Sequence, residues 1–171
     1  MSVDPRRAAI FLEVFAEAQR TARNLQSSLN RIAGLFPLTP EQMDDLDEDE
    51  KDRLDAFRVR FTDLQDVLGG KLFRSLLHLE EEEPESTLDI LNQVEKRGII
   101  ASVDGWRRLR DIRNLLTHEY PRSAGERAEA LSTAFREAPG LIETLQSVGR
   151  HVRDHVGVDV DVDVHEALLA G

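Results

Sequence analysis

Arg113, Asn114, His118 and Tyr120 stand within eight positions of one another, in the stretch RNLLTHEYP. Each residue type brings a chemistry. A guanidinium holds phosphate or carboxylate through paired N–H donors. An imidazole titrates near neutral pH and carries a proton in either direction. A carboxamide can orient either group. The preceding run WRRLRDIR places four arginines in eight residues, Arg107 and Arg110 among them, and forms an anion-attracting spot. The same residues also have an ordinary reading. A histidine near a helix C-terminus complements the dipole, a tyrosine before proline packs a turn, and arginines form a solvated face.

A helix from about Val103 to Glu119 must position them. At about 100° per residue, Trp106, Leu109, Ile112, Leu115 and Leu116 share one half of its wheel. Arg107, Arg110, Asp111, Asn114, Thr117 and His118 share the other. Arg113 breaks the division, lying on the apolar half between Trp106 and Leu109. Arginine is rarely buried unpaired. Arg113 therefore meets a carboxylate, snorkels along the core edge, or faces a seam between subunits. Pro121 disfavours the helical conformation of Tyr120, which predicts His118 in the last helical turn. There the carbonyl end of the dipole favours its cation and nearby arginines oppose it. Arg113 and His118 are five residues apart and point about 140° apart on an ideal helix. One copy of the helix does not converge them on a ligand.

The remaining elements are also helical in period. Helix 1 starts at Asp4, with Pro5 at the first position, and runs to about Ala33. Helix 2 starts at Thr39 in a capping-box pattern with Gln42 and runs to Leu77. Gly69 and Gly70 kink or thin it, and a break near Glu48 to Lys51 is the alternative. Ser86 or Thr87 caps helix 3, which closes at Gly98. Helix 5 runs from Arg122–Ala124 to about His155, bent or split at Pro139 and Gly140. The expected fold is an all-α antiparallel bundle of about five helices over residues 1–155. In the tail, residues 156–171, valines alternate with Asp159, Asp161 and Asp163 at the period of a strand. The tail is expected to be extended or disordered, or to pair with a partner as an added strand. As a calcium loop it lacks the glycine at position six, where Val164 stands, and the glutamate at position twelve.

Composition narrows the function classes. The net charge of −11 and hydrophobic content of 40% describe an ordinary globular chain, not one that coats nucleic acid. A basic spot on an acidic body fits a selective nucleic-acid contact or a basic partner. There is no cysteine, hence no disulfide framework and no thiolate metal site. Glu13, Glu17 and Arg20 interrupt the apolar residues of the N-terminal stretch, so no secretory pattern is expected. No run approaches the ~20 apolar residues of a membrane span. A cytoplasmic location is expected.

The pattern R-x4-H-x-Y at Arg113, His118 and Tyr120, with Asn114 after the arginine, resembles the signature of HEPN-domain proteins, specifically the HepT-like toxins. The stretches RFTDLQDVLGGKLFRSLL, TLDILNQVEKRGII and WRRLRDIRNLLTHEYP are similar to that family and to its non-toxic relatives, the nucleotidyltransferase substrate-binding proteins. The likeness spans roughly Asp55 to Ala134. It implies a bundle that forms a homodimer, with the motifs of two protomers meeting in a cleft. It implies the toxin of a type II-like toxin–antitoxin pair, a metal-independent endoribonuclease without cofactor. His118 would be the general acid or base, Arg113 the phosphate ligand, and Asn114 would orient the phosphate or the histidine. Arg107 and Arg110 would attract RNA. A small MNT-type nucleotidyltransferase would be the antitoxin, silencing the toxin by transferring AMP to Tyr120. Some family members serve only as adaptors of such a transferase.

Overall fold

The computed structural model describes residues 2–161. Among them every regular element is a helix. The Asp4 carboxylate accepts the N–H of Arg6 at 2.8 Å and of Arg7 at 3.4 Å, opening α1 (Pro5–Ile32). Thr39 and Gln42 form the expected capping box of α2 (Pro40–Asp44). The long second helix does not form. α2 closes after little more than a turn, and Asp47 caps α3 (Glu48–Val67) with a capping box to Glu50. The acidic run is thus a helix end followed by a helix start. Glu48, Asp49 and Glu50 lie in the first turn of α3, where the dipole favours negative charge.

Gly69 and Gly70 fall in a π turn, Leu68–Leu72, which passes without a break into α4 (Phe73–Leu79). A Cβ on Gly69 would stand 3.2 Å from Trp106 Cζ2, so the missing side chain lets the indole approach the backbone. Ser86, not Thr87, caps α5 (Thr87–Lys96). That helix ends on Gly98 at φ 73°, with the Ile99 N–H on the Val94 carbonyl at 3.0 Å. Ser102 caps α6 (Val103–Leu116), and Ser123 caps α7 (Ala124–His151). Pro139 lies inside α7 and does not split it. Ala138, Leu141, Ile142 and Leu145 around it are buried, and that packing outweighs one lost backbone bond.

The directions follow from the contacts. Arg60 reaches Ser28, Lys71 reaches Glu17, and Arg7 reaches the His78 carbonyl, so α1 runs antiparallel to α3 and α4. Arg58 meets Leu116, Asp66 meets Arg113, and Gly69 faces Trp106, so α6 runs antiparallel to α3. α7 starts beside Pro40 and ends beside Glu80. α1, α3–α4, α6 and α7 therefore alternate in direction, with α5 in the crossover. Phe11, Phe57, Phe61, Phe73, Leu25 and Leu145 are fully buried between them.

Beyond His151 the chain makes a second π turn, Val152–Val156, closed by Gly157 at φ 78°. Residues 157–161 form no strand; Val160 is buried, and the Gln19 amide donates to the Asp161 carbonyl. The start of the tail thus packs back on the bundle, where its valines find apolar cover. The expected strand beyond Asp161 lies outside the described residues.

One polar lock ties the far end together. Glu80 accepts from Arg97 Nε at 2.8 Å, and its other oxygen lies 3.1 Å from His151 Nε2. It joins α4, α5 and α7. Glu80→Ala leaves two part-buried partners uncompensated and is expected to cost about 2 kcal/mol in urea unfolding. Glu80→Gln, which keeps an acceptor, is expected to cost less.

Candidate functional site

α6 ends earlier than its sequence predicts, and that relocates His118. The last helical residue is Leu116, and Thr117 turns away at φ −118° and ψ −85°. The N–H groups of Thr117 and Glu119 both reach the Asn114 carbonyl, at 3.2 and 3.1 Å. Thr117 Oγ1 donates to the Arg113 carbonyl at 3.0 Å, and Arg58 Nε donates to the Leu116 carbonyl at 3.0 Å. The terminal carbonyls thus have donors other than a further helical turn. His118 stands exposed just beyond the helix, with no hydrogen bond or ion pair among the described residues. His118 is not helical, so the 140° separation of an ideal helix does not hold between it and Arg113.

Arg113 takes the first of its three expected options. Its Nε and Nη2 hold the two oxygens of Asp66 at 2.9 and 2.8 Å, a bidentate fork. Nη1 donates to Asn114 Oδ1 at 3.3 Å and to Thr117 Oγ1 at 3.4 Å. Four of the five guanidinium hydrogens are committed, and one on Nη2 is left over. Arg113 is 20% exposed and Asp66 49%, so the pair lies at the rim, where exchange of one anion for another is cheap. The structure brings Asn114 together with Arg113; His118, which Asn114 was to orient, is not drawn into that group within one chain.

Tyr120 belongs to a different set of contacts. The Arg58 guanidinium carbon lies 3.4 Å from the centre of its ring, a cation–π contact, while Arg58 Nη1 pairs with Asp55 at 3.1 Å. Burial pushes the Tyr120 phenol above its ordinary value, Arg58 pulls it back, and Asp55 adds to the rise. As the only tyrosine in the chain, it is expected to ionise above the ordinary tyrosine value of about 10. Phenolate absorbance during alkaline titration measures this directly. The sign also gives a stability trend. The folded state holds this proton more tightly, so the contribution is present at neutral pH and declines as pH rises through the unfolded and then the folded value.

Arg107 and Arg110 are exposed and make no ion pair among the described residues. They border a groove of about 630 Å³ between the π turn, α5 and α6, and Asp66 borders it too. Asp66, Arg58 and Asp55, all on α3, are the partners that sequence reading missed. Their one sequence signal was an i, i+3 acid–base pair at Asp55 and Arg58. Nothing local pointed Asp66 at a residue 47 positions away.

No helix among the described residues is long and apolar enough to cross a membrane. Compared with models of known protein families, with curated proteins and with solved structures, the chain matches none.

Proposed function

We propose that this chain is a HEPN-like, HepT-type toxin: a cytoplasmic, metal-independent endoribonuclease paired with a small MNT-type nucleotidyltransferase as antitoxin. The observation that carries the reading is the end of α6. A forked arginine and its neighbouring carboxamide sit one turn before an exposed, uncommitted histidine. In the reaction, the ribose 2′-oxygen attacks the adjacent phosphorus and the 5′-oxygen leaves. The products are a 2′,3′-cyclic phosphate and a 5′-hydroxyl. His118 takes the proton from the 2′-OH or returns one to the leaving oxygen. Arg113 exchanges Asp66 for the phosphate and balances charge in the transition state. Asn114 keeps the guanidinium in register. In a homodimer two such helix ends face one cleft, so the exposed His118 of one protomer serves with the Arg113 of its partner. Arg107 and Arg110 draw RNA to an otherwise acidic surface.

Tyr120 is the off-switch of this reading. Its oxygen attacks the α-phosphorus of a nucleoside triphosphate held by the transferase, and pyrophosphate leaves. A phenol with a raised proton affinity needs the transferase to supply the base. The product carries negative charge beside Arg58 and the turn that bears His118.

A second reading is favoured by the same Arg113–Asp66 fork. If the fork is permanent, the chain is a non-catalytic adaptor of the transferase. Unmodified protein incubated with RNA in chelator separates the two. Cyclic-phosphate ends are the result expected of the toxin; intact RNA with a stable transferase complex is the adaptor's result and sinks the toxin.

A further inference from the structure

Nothing local stops α6 at Leu116. The next residues, Thr117, His118 and Glu119, include no glycine or proline, and Pro121 restricts only Tyr120 directly before it. In a continuing helix the Leu116 carbonyl would accept the Tyr120 N–H. Arg58 Nε takes that place at 3.0 Å, from the helix packed alongside. The same guanidinium meets Tyr120 on the far side of the turn, its carbon 3.4 Å from the ring centre. Arg58 therefore touches the chain directly before and directly after residues 117–119, and His118 is the middle residue between the two contacts. Asp55 fixes the guanidinium through Nη1 at 3.1 Å. The Arg58 side chain is 22% exposed, so little water competes for these bonds. Only a planar fork fits here: its edge donates to the carbonyl while its face lies on the ring.

We infer that Arg58 is a positioning residue for His118: it clamps the turn between the Leu116 carbonyl and the Tyr120 ring, and so holds the imidazole clear of the helix. The other side of the turn is tied to the arginine–carboxamide pair. The Thr117 and Glu119 N–H groups reach the Asn114 carbonyl at 3.2 and 3.1 Å, and Arg113 Nη1 donates to Thr117 Oγ1 at 3.4 Å. Without Arg58 the Leu116 carbonyl is free to accept a helical N–H, and residues 117–119 gain the alternative of a further helical turn. In that turn His118 would stand about 140° round the axis from Arg113. The clamp is a property of the fold; its value for RNA cleavage rests on the ribonuclease reading.

Amide hydrogen exchange at Thr117 and Glu119, read by NMR on the full-length protein, reports the turn without reference to RNA. Arg58→Ala is expected to speed both by about tenfold or more, the factor for one lost charged hydrogen bond. Arg58→Lys is expected not to restore them, since an ammonium cannot donate along one edge and also lie flat on a ring. Tyr120→Leu removes only the ring and covers the case in which loss of Arg58 unfolds the chain. It is expected to speed the same two amides, and Tyr120→Phe, which keeps a ring, to speed them less. With RNA, Arg58→Ala is expected to lower kcat about 10²-fold at nearly constant KM, as a misplaced catalytic group does. A raised KM at constant kcat would make Arg58 an RNA contact and overturn the positioning role. Unchanged exchange in both Arg58→Ala and Tyr120→Leu, or faster exchange with kcat intact, also overturns the inference. Faster exchange in the variants with no cleavage by wild type keeps the clamp and removes the ribonuclease reading.

Discussion

Replacing His118 with alanine is expected to lower RNA cleavage by about 10²- to 10⁴-fold, the range of a lost general acid or base. The fold should not notice. His118 is exposed and holds nothing among the described residues, so the urea midpoint should move by no more than the ~0.5 kcal/mol of a neutral surface change. That combination is informative because each half constrains the other. A large kinetic loss in a protein of unchanged stability means that the imidazole acts on RNA, not on the bundle. Mixed dimers sharpen the result. If the His118 of one protomer serves the Arg113 of the other, His118→Ala protein mixed with Arg113→Ala protein should regain one working cleft in the heterodimer. Equal cleavage by wild type and His118→Ala removes the ribonuclease reading.

The parts of this architecture that were legible in the sequence are those with a local cause. Asp4, Thr39 and Ser86 cap helices through backbone N–H groups two or three residues on, and Gly98 closes one through its own φ. The apolar periods that placed Phe57, Phe61 and Leu64 in the core are local as well. Errors arose where a distant group decided. The sequence predicts α6 to about Glu119, but Arg58, far back in the sequence, takes the Leu116 carbonyl and the helix stops. Of the two outcomes that Pro139 allows, a split does not occur, because buried neighbours on both sides hold α7 as one helix. The wheel identified Arg113 as the misfit without naming its partner, since a carboxylate, a core edge and a subunit seam all satisfy the same angle. Only the packing of α3 against α6 selects Asp66.

Arg113→Ala is the second large effect, about 10²- to 10³-fold in cleavage, as expected for removing a charge-stabilising donor. Its interpretation depends on Asp66. The pair lies at the rim, with Asp66 half exposed, so its loss should cost only about 1 kcal/mol of stability. A purely structural fork predicts that Arg113→Ala and Asp66→Asn destabilise alike and leave RNA binding unchanged. A fork that parks the guanidinium for phosphate predicts opposite effects on RNA. Asp66→Asn would remove the competing anion and tighten RNA binding severalfold, while Arg113→Ala would weaken it. Arg113→Lys should not rescue cleavage. An ammonium keeps the charge but cannot hold a phosphate through two parallel N–H bonds while a third nitrogen stays on Asn114 and Thr117. Filter binding with a cleavage-resistant oligoribonucleotide and urea unfolding of the same four proteins provide both axes. Divergence of Asp66→Asn from Arg113→Ala in binding, with near-equal stabilities, is the outcome that assigns Arg113 to the substrate. Parallel behaviour returns it to the bundle and leaves the adaptor as the function of this chain.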